Sequence, residues 1–87
     1  MYLSNLTFQS EIGKALHAER KRQGVTLSKI ASKAYVSMGY LSEIERGLKE
    51  PSLYILDQLC TTLKLDLGEV LLNSVRTVKQ NKELVNV

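Results

Sequence analysis

SMGYLSEIERGLKEP, residues 37–51, reads as one short helix with a defined start and stop. Ser37 offers the hydroxyl of a helix N-cap, and Gly47 supplies a residue that turns left-handed easily where the helix ends. Inside the stretch Leu41 and Ile44 are three apart and face a core, while Met38, Gly39, Ser42, Glu43 and Arg46 project elsewhere. So short a helix needs support from outside. The support lies just upstream, where Thr26 can cap a second short helix whose Ile30, Ala31 and Ala34 share one face; Tyr35 and Val36 leave only a tight connection. Two short helices joined this closely form a helix-turn-helix, with the second available for a DNA groove.

Reading outward, helix 1 is expected from about Ser10 to Gln23, with Ile12, Ala15 and Leu16 inward, Lys21 and Arg22 near its C-terminal end and Gly24 stopping it. Helix 4 has the clearest period. Leu53, Leu56, Cys60 and Leu63 recur at i, i+3, i+7 and i+10, Leu59 widens the stripe, and Pro51 and Ser52 mark the start. Asp66 opens helix 5, with Glu69 placed for a capping box and Leu67, Val70, Leu71, Val75 and Val78 as its stripe. Lys79 to Val87 extends that helix or frays. Residues 1–9 are expected as an irregular arm packing Leu3, Leu6 or Phe8 on the bundle, residues 10–65 as the helix-turn-helix domain, and residues 66–87 as a C-terminal helix and tail. No stretch alternates as a strand would, so the predicted fold is all-α, a compact five-helix bundle.

Residues 12 to 65 resemble the helix-turn-helix domain of the phage repressor and Cro family, also called the xenobiotic-response-element family of bacterial regulators. Ile12, Gly13, Leu16, Arg20, Gly24, Thr26, Ile30, Ala31, Ala34, Val36, Ser37, Leu41, Ser42, Ile44, Glu45, Gly47, Pro51, Ser52, Leu53, Leu56, Leu59 and Leu63 carry the resemblance by their joint spacing. GYLSEIERG is similar as well to regulators of Clp protease genes in actinobacteria. The resemblance implies a lambda-repressor-like domain that reads double-stranded DNA from the major groove.

Carried over from the family, the base-contacting positions are Ser37, Met38, Gly39, Ser42 and Glu43. Relatives often place Gln or Arg there, whereas Met38 and Gly39 offer apolar contact, to a thymine methyl for instance, or close backbone approach. Glu43 can accept from a cytosine amino group, or turn away and pair with a cation. Lys29, Arg46 and Lys49 are the expected phosphate-contacting cations, with Thr26, Ser28 and Ser37 as hydroxyl or amide donors. Tyr40 either donates its hydroxyl to phosphate or packs its ring against helix 2. The family usually has Gln where Leu27 stands, so that phosphate contact is lost here and Ser28 replaces it in part. The turn usually holds Gly where this chain has Tyr35, which either tolerates a strained conformation or alters the turn. Arg20 and Glu45 match a pair that forms an internal salt bridge in relatives, tying helix 1 to the end of helix 3.

The formal net charge of the 87 residues is +3, and it is uneven: residues 14–49 carry +5 and the rest −2. A basic half around the helix-turn-helix fits a polyanionic partner. Cys60 is the only cysteine, which excludes an intramolecular disulfide or a cysteine-cluster metal site and is read as a small buried residue in a reducing compartment. His17 has no second His or Cys at ligand spacing and is read as solvated. Neither a triad nor a carboxylate pair is spaced for catalysis, so no enzyme activity, cofactor or metal is expected. The start lacks the charge and apolar run of a signal peptide, no run approaches a membrane span, and a cytoplasmic protein without membrane contact follows.

The expected function is a sequence-specific DNA-binding transcriptional regulator, acting as a homodimer on a pseudo-palindromic operator, with Leu71, Val75 and Val78 as the dimer seam. The alternative keeps the fold and makes the chain an antitoxin or restriction-modification control protein whose tail, Arg76 to Val87, binds a partner protein.

Overall fold

Short polar side chains start each helix. The computed structural model describes residues 7–85, and among them are five helices and no strand: α1 (Phe8–Gln23), α2 (Leu27–Lys33), α3 (Met38–Glu45), α4 (Leu53–Leu63) and α5 (Leu67–Val85). Thr7, Thr26, Ser37 and Ser52 each accept a hydrogen bond from the amide three residues on. Asp66 Oδ1 accepts from the Glu69 amide at 2.8 Å in the same way. Each cap satisfies an amide that a helix start leaves unpaired.

The first four helices also end alike. Gly24 (φ 69°), Tyr35 (φ 60°), Gly47 (φ 75°) and Lys64 (φ 60°) are left-handed, and in each case that residue and the next fold their amides back onto carbonyls of the last turn. Glycine takes this conformation without penalty, whereas a residue with a β-carbon is disfavoured by about 1–2 kcal/mol. Tyr35 therefore takes the left-handed conformation that glycine has at Gly24 and Gly47, and is strained in it.

With starts and stops fixed, the apolar positions meet in one core. Ile12 and Leu16 of α1, Ile30, Ala31 and Ala34 of the α2 segment, Leu41 and Ile44 of α3, Leu56, Leu59, Cys60 and Leu63 of α4, and Val70 of α5 are all buried. Burial pushes the Cys60 thiol up to about 11, helped by the negative charges of Asp57 and Asp66, so it sits in the core as an unreactive apolar group.

Three expectations change, and one left open is decided. Helix α1 begins at Phe8, two residues before the expected start, because Thr7 caps it; this takes Phe8 and Gln9 out of the arm, and Leu3 and Leu6 lie outside the described residues. Leu53 is 63% exposed, since it occupies the first turn of α4 above the core, and Ile55 packs inward instead. Helix α5 continues through Lys79 to Val85. Its stripe is split: Val70 is buried, Leu67 and Leu71 pack against the core at its edge, Ser74 is buried on the inner line, and Val75 and Leu72 face outward.

Helix α1 is the hub, packing against α3, α4 and α5. Two glutamines tie its ends to backbone elsewhere: Gln9 Nε2 donates to the Gly47 carbonyl at 2.9 Å, and Gln23 Nε2 to the Leu63 carbonyl at 2.7 Å. At Gly13 the helices touch through their backbones, and a β-carbon there would lie 2.3 Å from the Ile44 oxygen and 2.7 Å from the Glu45 oxygen. No side chain fits without moving α3. Gly13→Ala is expected to lower stability by roughly 1–3 kcal/mol in a denaturant melt, the range for overfilling a close-packed contact; an unchanged midpoint would mean that α3 shifts freely.

Candidate nucleic-acid interface

The fold buries one side of α3 and leaves the other open. Leu41 and Ile44 are fully buried, so the helical period turns the front of α3 outward. Ser37, Met38 and Gly39 are exposed, Ser42 and Glu43 are half-buried, and a β-carbon on Gly39 would meet nothing within 4 Å. Ser37 caps the helix through its oxygen, receiving the Tyr40 amide at 3.0 Å, which leaves its O–H to donate outward. These five residues lie at the cap and along the open side of α3.

Most of the expected phosphate contacts lie on exposed surface. Thr26, Ser28 and Lys29 are exposed at the start of α2, and Lys49 is exposed in the loop after α3. Arg46 is exposed but folded back, its Nε donating to the Ser42 carbonyl and hydroxyl at 3.3 Å each. Tyr40 is half-buried with its ring against the core, in keeping with the packing role of the two open for it.

Behind the helix, Arg20 and Glu45 meet. Arg20 Nε donates to Glu45 Oε2 at 2.8 Å and its second terminal nitrogen to Oε1 at 3.0 Å, a two-pronged pair with side-chain exposures of 12% and 5%. Arg20 also donates to the Val25 carbonyl at 2.9 Å, fixing the link into α2. His17 changes from the solvated reading. Its ring is half exposed, yet Nδ1 lies 2.8 Å from Glu45 Oε1, so α1 holds the end of α3 from two positions three residues apart. That spacing, which puts His17 and Arg20 on one face, was the signal available in the sequence. Gly13 was visible only as a match to the family pattern, with nothing to reveal the backbone contact it permits.

Burial by itself would raise the Glu45 carboxyl, but the hydrogen bonds from Arg20 and His17, with their charges, outweigh it and hold the group below its ordinary value. Outside this joint lies a hollow of about 330 Å³ bordered by His17, Arg20, Leu27, Ser42, Glu45 and Arg46. Among the described residues no cluster of His, Cys, Asp or Glu is arranged to hold a metal ion, and no helix is long and apolar enough to cross a membrane.

Comparison with known proteins matches residues 16–70 to the helix-turn-helix family model. The chain belongs to that family, in its phage repressor and Cro branch. Among helix-turn-helix relatives, the transcriptional regulator ClgR of Mycobacterium tuberculosis is 44% identical over 73 residues, covering 84% of this chain and 65% of ClgR. SinR of Bacillus subtilis, another helix-turn-helix regulator, is 38% identical over 61 residues, covering 69% of this chain and 55% of SinR. The crystal structure of the clp gene regulator ClgR from Corynebacterium glutamicum superposes with a TM-score of 0.79 at 34% identity, covering 92% of this chain and 85% of that one. The chain thus spans about two thirds or less of the curated relatives' length.

Glu45→Ala leaves the Arg20 guanidinium without its carboxylate and is expected to lower stability by roughly 3–5 kcal/mol in a denaturant melt, whereas His17→Ala, at a half-exposed position, costs less than about 1 kcal/mol. Because the folded carboxyl titrates below its ordinary 4.5, this contribution is fully present above that pH and disappears as pH falls through the depressed folded value. Wild-type melts should therefore lose stability on acidification below about pH 4.5 more steeply than melts of Glu45→Gln. Parallel pH profiles would remove Glu45 from this role.

Proposed function

We propose that this chain is a sequence-specific DNA-binding transcriptional regulator working as a homodimer on a pseudo-palindromic operator. The observation that carries the proposal is the exposed front of α3 on a helix locked from behind by Arg20, His17 and Gly13. A rigid helix with outward hydroxyl, thioether and bare-backbone groups suits the major groove, and the helix-turn-helix relatives of this chain are themselves transcriptional regulators.

In this reading Ser37 and Ser42 hydrogen-bond base edges, Met38 packs against thymine methyls, Gly39 lets the backbone come close, and Glu43 accepts from a cytosine amino group. The readout is softer than an Arg- or Gln-based one, so positioning by phosphate contacts matters more. Lys29, Lys49 and Arg46 supply the charge, and Thr26, Ser28 and Ser37 the hydroxyls or amides. Arg46 leaves Ser42 to reach a phosphate, freeing that serine for the groove.

One short helix reads few base pairs, so two copies about 34 Å apart are required for useful specificity. The seam assigned to them runs along α5 through Leu71, Val75 and Val78. Val75 and its neighbour Leu72 are 42% and 50% exposed, apolar surface that the monomer leaves uncovered.

Selection of bound sequences from a random DNA pool tests the proposal, the expected product being two related half-sites one helical turn apart. Lys49→Ala should then weaken all sequences alike and lower the salt slope by roughly one phosphate's worth, while changes at Met38, Ser42 or Glu43 shift preference at particular bases by about 1–3 kcal/mol. No enriched sequence, or base preferences indifferent to all three groove residues, would refute it. For the seam, Val75→Glu should yield a folded monomer in sedimentation; an intact dimer would place the interface elsewhere.

A further inference from the structure

Tyr35 stands out at the close of α2. It takes the left-handed conformation that glycine holds at the ends of α1 and α3, and its side chain is 91% exposed, so ring packing does not compensate the strain. A second tyrosine, Tyr54 in the first turn of α4, is 72% exposed. The two border a groove of about 270 Å³, with Val36, Ser52, Ile55 and Gln58 between them. Among the described residues no charged one lines it, and its side-chain polar groups are two phenols, a hydroxyl and an amide, each able to donate a hydrogen bond. Val36 leads directly into Ser37, the cap of α3, so the groove adjoins the end of that helix assigned to the bases.

The geometry points to the Tyr35–Tyr54 groove as a second DNA contact, in which the phenol hydroxyls donate to phosphate oxygens and the rings lie against deoxyribose beside the half-site. This inference rests on the reading of α3 as a DNA-binding helix. The absence of a carboxylate lets a polyanion approach, and neutral donors tighten binding without releasing counterions. The contact therefore grips the backbone in any sequence and adds nothing to the salt dependence. A side chain working on a ligand also accounts for tyrosine where the fold alone favours glycine.

The test uses the full chain and the DNA selected from the random pool, with affinity measured by fluorescence anisotropy at several salt concentrations and on single-base variants of that DNA. Tyr35→Phe and Tyr54→Phe are each expected to weaken binding roughly five- to tenfold, with the salt slope and base preferences of the wild type retained. Tyr35→Gly should weaken binding at least as much while its melting midpoint stays level or rises, because the strain is relieved. Binding and folding thus move in opposite directions, which a merely structural role does not produce. Wild-type affinity in all three variants overturns the inference and leaves the groove to a protein partner; altered base preferences overturn the backbone assignment. If the wild type selects no DNA, the reading of α3 and this contact fall together.

Discussion

The contact between Gly13 of α1 and the carbonyls of Ile44 and Glu45 is the constraint on which the rest of this structure depends. A helix of eight residues has little stability of its own, so α3 holds its place only through what it packs against. Bringing the backbones into contact fixes depth, and the Arg20–Glu45–His17 joint fixes rotation. Leu41 and Ile44 then face the core, and Met38, Gly39 and Ser42 have nowhere to go but outward. The chemistry of the exposed face follows from packing on the opposite side.

The same economy governs the helix ends. Hydroxyl or carboxylate caps begin the helices, and left-handed residues end the first four, so short elements are cut to length without long loops. Two of those ends use residues other than glycine. At Lys64 a long side chain at an exposed end is tolerated, and nothing in the structure explains the choice. At Tyr35 the strain sits just before the start of α3, with the phenol exposed.

How far the sequence could be read follows from these devices. Helices 2 to 4 were legible because Thr26, Ser37, Ser52, Gly24 and Gly47 punctuate them and Leu41, Ile44, Leu56 and Leu59 keep a helical period. Lys64 escaped notice because a left-handed stop is recognised through glycine. Leu53 misled because it fits the period of α4 yet lies in the first turn, above the core. His17 was missed since its partner is 28 residues away in sequence and only the approach of α1 to α3 brings them together. Arg20 with Glu45 was visible through family resemblance alone; spacing does not reveal it. For α5 the pattern was visible, but no period tells a stripe covered by its own bundle from one left for a second copy.

A rigid α3 presented from behind should meet its ligand with the front and leave the joint undisturbed. Chemical shifts of amides, methyls and the Arg20 Nε–H group, followed residue by residue as the chain is titrated with its selected DNA, report this most directly. The largest changes are expected at Met38, Gly39 and Ser42, with smaller ones at Lys29 and Lys49, while Leu16, Ile44 and the Arg20 signal keep their positions. Changes concentrated along α5, with the front of α3 unmoved, would contradict the assignment of that helix as the reading element.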